Sequence, residues 1–250
     1  MFAWYWSLPF AVLLLMLTTA VYSIFIHRAC AHKSVIFTST ALINFCRFWW
    51  WLMGFWYPNW VQHMSAMHRK HHIRTDTAED PHSPYVYSLA QLLFVFHNPG
   101  PGQPYYMKAE EVQKLASDLP TYNDWAEQHV YSQYYKYTFF ILVALFFLLF
   151  GFWGMMCSIP LLIGIRLTAR MHNYLSHKVG YRHGPPLKET DHSKNLFPIG
   201  FLLSGEELHA NHHNSPGSAR LSTRWWEFDF GWTIILILRF FGLIKLSSKK

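Results

Sequence analysis

The chain has 250 residues, of which 52% are hydrophobic, 19% aromatic and only 14% charged. A soluble domain of this size would need more charge to cover its surface, so the composition favours a membrane protein. The formal net charge of +7 could reflect an anionic partner, but cytoplasmic loops that follow the positive-inside bias explain it better. We therefore expect a lipid bilayer, and no nucleic acid, as a partner.

The first apolar run predicts a membrane-crossing helix at about residues 8–26. Residues 1–26 carry no charge, and the 18 apolar residues from 9 to 26 suffice for one crossing at about 1.5 Å per residue. Because the first Lys or Arg follows this run, we expect the N-terminus outside and His27 at the cytoplasmic end.

His27 and His32 form a HxxxxH pair directly after this run. Their side chains would lie about 140° apart on a straight α-helix. We therefore expect the helix to stop or bend between them, so that both rings turn inward. Two interfacial histidines that merely flank a span would give the same pattern.

A second apolar stretch, rich in aromatic residues, covers residues 34–60 and is interrupted by Asn44 and Arg47. If it crossed the bilayer, the histidines that follow it would lie on the opposite side from His27. We therefore predict an interfacial or re-entrant helix at about residues 38–58 that returns to the cytoplasmic face.

The next feature is a HxxHH cluster of His68, His71 and His72. Positions i, i+3 and i+4 share one face of a helix, so these imidazoles can converge. The neighbours His71 and His72 diverge by about 100°, which suits ligands that serve two metal ions. The same spacing recurs at His209, His212 and His213. The two triplets together indicate a multi-histidine metal site at a membrane surface.

Acidic residues near the two triplets are candidates for hydrogen bonds to the far nitrogens of liganding imidazoles, the usual arrangement around a metal. The residues predicted in this role are Asp76, Asp80, Glu206 and Glu207, with Glu79 as a further candidate. For Asp76, Glu79 and Asp80, which lie in the sequence TDTAEDPHSP, a solvated acidic turn is an equally good interpretation.

Residues 137–165 form a charge-free run of 29 residues, too long for one untilted crossing and slightly short for two. The histidines before and after it must meet on one side, so we predict two crossings, at about residues 137–152 and 154–171. The sequence GFWG at residues 151–154 is the expected turn. Asn173 and His177 share a face of the returning helix and would form a wall of the site.

The C-terminal residues 229–245 are interpreted as an amphipathic helix that lies on the membrane, with Arg239 and Lys245 on its polar side. A spanning helix is the alternative, but Arg239 interrupts its apolar run. The fold class predicted for the single domain of residues 1–250 is an all-α membrane protein. It has about three transmembrane helices, additional interfacial helices, and a cytoplasmic cap around the histidines.

Nine imidazoles exceed what one four-coordinate zinc ion needs, whereas two ions with four or five ligands each would use them. Imidazole suits Zn, Fe, Cu and Ni, so the ligand type alone does not select the metal.

The order of these motifs resembles the integral-membrane fatty-acyl desaturases, the stearoyl-CoA desaturase-like family, and in particular its bacterial acyl-CoA branch. The motifs that carry the likeness are HRACAH, HRKHH with TDTAEDPHSP, NYLSH, SGEELHANHH and WWEFDFGW. The resemblance implies a non-haem di-iron site. One iron would be held by His27, His32, His68, His72 and His212. The other would be held by His71, His177, His209 and His213, with Asn173 bound through water.

The resemblance also implies the reaction, in which two iron ions (Fe2+/Fe3+) and O2 remove two hydrogens from an acyl chain and leave a C=C bond. No catalytic residue beyond the metal ligands is expected. The chain could arrive on CoA, acyl carrier protein or a phospholipid, and a separate ferredoxin or cytochrome b5-type protein would supply electrons. An acetylenase or hydroxylase is the nearest alternative. A histidine-rich metal transporter is a less favoured alternative, because it would place metal ligands inside its membrane spans, whereas the apolar runs of this chain contain none.

Two features depart from the family pattern. Family members usually carry another transmembrane helix before the one that ends at HxxxxH, so we expect three crossings and a shorter or more open tunnel. Ala66 and Met67 stand where the animal acyl-CoA enzymes place charged residues, which leaves the carrier open. We expect a multi-pass protein of the bacterial inner membrane with its metal site on the cytoplasmic side.

Overall fold

The computed structural model describes residues 2–95 and 99–247 and is mostly helical there, as predicted. Its helices are α1 (Ser7–Val21), α2 (Thr40–Leu52), α3 (Trp60–Arg74), α4 (Leu89–Leu93), α5 (Ala109–Ala116), α6 (Ser132–Tyr134), α7 (Thr138–Lys178), α8 (His209–Asn214) and α9 (Phe230–Phe240). Four short strands were not predicted: β1 (Val35–Phe37), β2 (Ile199–Gly200), β3 (Phe228–Asp229) and β4 (Ile244–Leu246). β1 pairs with β4 antiparallel, and β2 pairs with β3 parallel.

Two helical stretches of the described chain are long and apolar enough to cross a membrane, Trp4–Ala31 and Glu127–Lys178. The first contains α1 and the π-helix Tyr22–Ala31, and the second contains α6 and α7. The C-terminal helix α9 is apolar but shorter. These two stretches contain the apolar runs at residues 8–26 and 137–171, for which the sequence predicts crossings.

Helix α7 is two helices joined at Gly151, the first residue of the predicted GFWG turn. Gly151 has φ 73° and ψ −167°, a conformation that is essentially restricted to glycine. The guanidinium of Arg166 lies 5.2 Å from the ring centre of Phe139, although a straight helix would separate these residues by about 40 Å. Leu142 and Leu162 also share one hydrophobic cluster. The chain therefore reverses direction at Gly151.

Gly151→Ala is expected to lower the free energy of unfolding by about 1–3 kcal/mol, because alanine would have to adopt this strained conformation. Gly164→Ala is the matched control in the same helix, where an added Cβ meets no atom within 4 Å. That control should be neutral or stabilise by up to about 1 kcal/mol, since alanine favours helix. Thermal unfolding in detergent micelles measures both, and equal destabilisation would contradict the special role of Gly151.

The helix that carries His27 ends at Ala31, between the two histidines as predicted. Before it ends it widens into the π-helix Tyr22–Ala31, which the sequence did not predict. The amide of His32 donates to the carbonyl of His27 at 3.1 Å, the i to i+5 bond of a π-turn. Residues five apart lie nearly above one another in this wider turn, and the two ring centres are 5.0 Å apart.

Helix α3 packs against the π-helix and α5. Arg69 fixes this contact, because its guanidinium donates to the carbonyls of Cys30 and Ala31, each at 2.7 Å. These carbonyls belong to the C-terminal end of the π-helix, where a cation is electrostatically favoured. Arg69 also pairs with Asp118 at 2.6 Å. The HxxHH face of α3 is thereby held beside His27.

A buried ion pair joins the N-terminal helix to the C-terminal part of the chain. Arg28 lies 3.0 Å from Asp229, and at most 1% of either side chain is exposed. Arg28 also donates to the carbonyls of Ser204 and Ala219 at 3.0 and 2.9 Å. These bonds hold the segments on both sides of α8 against the π-helix.

Candidate metal centre

Nine histidine side chains converge into two adjacent groups. Within each group the potential ligand atoms all lie within 4.8 Å of one another. The first group is His27, His32, His68, His72 and His212. The second group is His71, His177, His209 and His213. The division is the one that the resemblance implies, and the residues come from the π-helix and its end, α3, α7 and α8.

The helical spacing of α3 accounts for the way its histidines are shared. His68 and His72 are one turn apart, and their ring centres are 4.6 Å apart within the first group. His71 turns away from them towards the second group, where its ring centre lies 5.0 Å from that of His213. The two groups contact each other at His72 and His213, whose ring centres are 4.4 Å apart. The arrangement suits two neighbouring ions.

Buried carboxylates hold three of the nine imidazoles. In each case a carboxylate oxygen lies 2.8 Å from Nδ1: Glu206 at His27, Asp80 at His71 and Asp76 at His177. Burial alone would raise the pKa of Glu206, but the contacts with His27, Arg28 and Ser23 together outweigh it and lower the pKa to about 2. A carboxylate that remains ionised accepts a hydrogen bond from Nδ1–H and so fixes the orientation of the ring.

The orientation of the imidazoles tests whether metal ions fit. A neutral imidazole that donates from Nδ1 has a lone pair on Nε2. Nε2 of His27 faces Nε2 of His212 at 2.9 Å, and Nε2 of His177 faces Nε2 of His209 at 3.1 Å. Nδ1 of His209 and Nδ1 of His212 have no hydrogen-bond partner among the described residues, so either a proton shared between the two Nε2 atoms or a metal ion can satisfy each pair. Donors about 2.1 Å from one ion lie at most about 4.2 Å apart, so the Nε2 separations of 2.9 and 3.1 Å are short enough for each pair to share an ion.

Burial and the neighbouring imidazoles keep most of these rings neutral, as metal ligation requires. Burial is the larger cause, and together they lower the pKa values well below the usual range. The histidines affected are His32, His68, His72, His209, His212 and His213.

Three residues predicted at the site make no hydrogen bond to an imidazole within the described part of the chain. The amide of Asn173, one turn before His177, donates to the carbonyl of His82 at 2.9 Å. The carboxylate of Glu207 accepts from the amide of Leu203 at 2.8 Å, and burial raises its pKa to about 7. Glu79 is exposed and pairs with Arg74 at 3.1 Å.

Sequence reasoning missed Asp191 and His82. The carboxylate of Asp191 lies 3.4 Å from Nδ1 of His213, and Arg182 pairs with Asp191 at 3.3 Å. The ring of His82 stacks on His71 with 4.4 Å between centres. A search for further acidic partners of the second triplet would have pointed to Asp191, in the sequence TDHS.

Asp80→Asn is expected to weaken metal binding about 10–100-fold, the usual effect of losing a carboxylate behind a liganding histidine. Asp80 also accepts from the amide of Asp76 at 2.8 Å, so asparagine keeps the size while losing the charge that orients His71. Glu79→Gln, one residue away and exposed, is the matched control. Competition with a chelator measures both affinities, and an equal loss in the two variants would contradict the role of Asp80.

Comparison with known proteins identifies the family of this chain. The family model described as fatty acid desaturase matches residues 3–236. The sn-1 stearoyl-lipid 9-desaturase of Anabaena variabilis is 32% identical over 197 residues, which cover 73% of this chain and 64% of that protein. The Acyl-CoA C20 Delta5-desaturase of Anemone leveillei is 32% identical over 74% of this chain and 57% of its own length.

A third relative is the Delta-9 acyl-lipid desaturase 2 of Arabidopsis thaliana, 31% identical over 76% of this chain and 57% of that protein. The chain thus spans 57–64% of the length of these three curated relatives. The family model nevertheless covers most of its residues. The chain belongs to the fatty acid desaturase family.

Proposed function

We propose that this protein uses O2 to desaturate a fatty-acyl chain at a non-haem di-iron centre, in fatty-acid or lipid biosynthesis. The observation that carries the proposal is the convergence of nine imidazoles, seven of them buried, into two adjacent groups. The relatives support the substrate class, since their names specify stearoyl-lipid, acyl-lipid and acyl-CoA substrates. CoA, acyl carrier protein and phospholipid are the candidate carriers.

In this proposal the five histidines of the first group hold one iron, and the four of the second group hold the other, with Asn173 bound through water. The two irons would supply the oxidising power that an unactivated methylene requires and that no side chain has. The protein's own contribution is to fix the rings through Asp76, Asp80 and Glu206 and to exclude water by burying them.

Electron balance requires a further partner. Reduction of O2 to two waters takes four electrons, and forming one C=C bond releases two of them together with two hydrogens. Two electrons and two protons must therefore come from outside the acyl chain. We propose a separate one-electron carrier of the ferredoxin or cytochrome b5 type.

We further propose three membrane crossings, made by α1 with the π-helix and by the two halves of α7, with α2 and α9 at the interface. The reversal at Gly151 supports this, because it returns α7 to the side where His27 lies. The N-terminus is then outside and the metal centre faces the cytoplasm of a bacterial cell. One domain comprises the whole chain.

Expression in a host that lacks the activity, together with a ferredoxin and its reductase, tests the function. Mass spectrometry of the extracted lipids, with localisation of double bonds, should show new unsaturated acyl chains. A hydroxylated or acetylenic product would assign the neighbouring reaction on the same centre. No new product, despite two bound irons and a working donor, would overturn the proposal.

A further inference from the structure

An exposed apolar patch lies beside α1, outside the elements for which the sequence predicts a membrane location. It is formed by β2, the residues next to it, and β3. Its members are Phe197, Ile199, Phe201, Leu202 and Phe228, which are exposed by 41–63%. We call these five residues the β2–β3 patch. Residues 196–204 include no charged side chain, and a contiguous exposed patch of this kind marks an interaction surface.

The members of the patch are close together. The register of the parallel ladder pairs Ile199 with Phe228. The ring of Phe230 lies 5.1 Å from that of Phe201 and 6.5 Å from that of Phe228, and so connects the two strands. The patch is therefore one surface and not a set of scattered side chains.

Two hydrogen bonds fix the position of the patch along α1. The hydroxyl of Thr19 donates to the carbonyl of Leu202 at 2.8 Å, and the hydroxyl of Ser23 donates to the carbonyl of Ser204 at 3.1 Å. Thr19 precedes His27 by eight residues, which is about 12 Å along a helix. The patch thus lies alongside the apolar part of α1 and not beyond its cytoplasmic end.

Non-helical chain at membrane depth requires that its backbone polar groups bond within the protein, and several groups of this segment do so. The amide of Phe228 donates to the carbonyl of Pro198 at 2.9 Å, and the amide of Leu203 donates to the carboxylate of Glu207 at 2.8 Å. The carbonyl of Leu202 accepts from Thr19, and the two strands pair with each other.

We propose that the β2–β3 patch is immersed in lipid acyl chains of the cytoplasmic leaflet, as a membrane-embedded element additional to α1 and α7. The adjoining sequence fits this depth. Arg224, Trp225 and Trp226 precede β3, and Trp and basic residues are typical of the headgroup region of a membrane. Trp225 is 93% exposed. The inference rests on the proposed membrane placement of α1, with which the patch is continuous.

This immersion has a consequence for the candidate metal centre. The segment that carries the patch leads through Ser204 to Glu206, whose carboxylate holds His27. Acyl chains of the bilayer would therefore contact the protein only a few residues from the first histidine group.

Spin labels in nanodiscs of phosphatidylethanolamine and phosphatidylglycerol test the proposal. Phe201→Cys and Phe228→Cys are made in a Cys157→Ser background, where Cys30 and Cys46 are buried. Leu13→Cys, on an exposed position of α1, is the lipid reference, and Leu187→Cys, in the polar loop before α8, is the aqueous reference. Normal iron loading of each variant verifies its fold.

Power-saturation EPR then measures collisions of each label with O2, which concentrates in lipid, and with a water-soluble nickel chelate. The labels at positions 201 and 228 should match the label at position 13, with high O2 and low nickel accessibility. Nickel accessibility equal to that at position 187 would overturn the inference. Protection from both reagents, with dipolar broadening in discs that hold two chains, would assign the patch to a second copy and would also overturn it.

The label at position 13 separates this inference from the broader proposals. If that label too is accessible to nickel, the membrane placement of α1 fails, and the inference fails with it. If it is lipid-exposed while positions 201 and 228 are aqueous, only the inference about the patch fails. None of these readouts depends on desaturase activity.

Discussion

His71→Ala is expected to abolish product formation and to remove the iron that we propose for the second histidine group. The ring centre of His71 lies 5.1 Å from that of His177 and 5.0 Å from that of His213, so this imidazole belongs to the second group. Its loss leaves three imidazoles in that group and leaves Asp80 without the ring that it orients. Iron content per chain and lipid analysis measure the two effects.

The matched control is His129→Ala. This histidine is exposed, and its ring stacks on Trp125 far along the chain from either group. Its removal should leave iron content and product unchanged. If His71→Ala keeps both irons and wild-type turnover, His71 is not a ligand, and the division of the histidines into two metal sites is refuted.

Arg28→Ala is expected to destabilise the fold by about 3–5 kcal/mol, the usual result of removing one partner of a buried ion pair. The carboxylate of Asp229 would stay buried without its cation, although it would still accept from the amides of Leu221 and Trp232. The carbonyl of Ser204 would also lose a donor. Denaturant titration in mixed micelles measures the change in the free energy of unfolding.

Lys33→Ala provides the comparison, because Lys33 lies five residues further on and pairs with Asp118 at 2.6 Å with 46% of its side chain exposed. An exposed pair contributes only about 0–1 kcal/mol. Similar losses from Arg28→Ala and Lys33→Ala would show that the burial of the Arg28 pair has no energetic effect. A decrease in iron loading is expected only for Arg28→Ala.

The parts of the site that depend on helical spacing could be predicted from the sequence. HxxHH fixes which imidazoles share a face, so the arrangement of His68, His71 and His72 on α3 follows from local geometry. The reversal at Gly151 could be predicted for a different reason. The length of the apolar run was ambiguous, and the need for histidines on both sides of it to meet decided the question.

The remaining features depend on contacts distant in sequence. The HxxxxH spacing indicates a departure from a regular α-helix but not that it is a π-helix, because Arg69, which holds the end of this helix, lies on a different element. Asp191 reaches His213 from an irregular loop, where no periodicity relates the two residues. The short strands β2 and β3 pair across an interval that contains all of α8, so neither could be recognised from its own residues.

The π-helix Tyr22–Ala31 makes this region sensitive to chain length. Such a turn accommodates one residue more than an α-helical turn. Deleting a single residue between His27 and His32 would restore the tighter repeat and rotate one ring by about 100° relative to the other. Point changes such as Ala29→Ser keep the spacing, whereas insertions and deletions do not. Natural variation and protein engineering in this stretch should therefore be limited to substitutions.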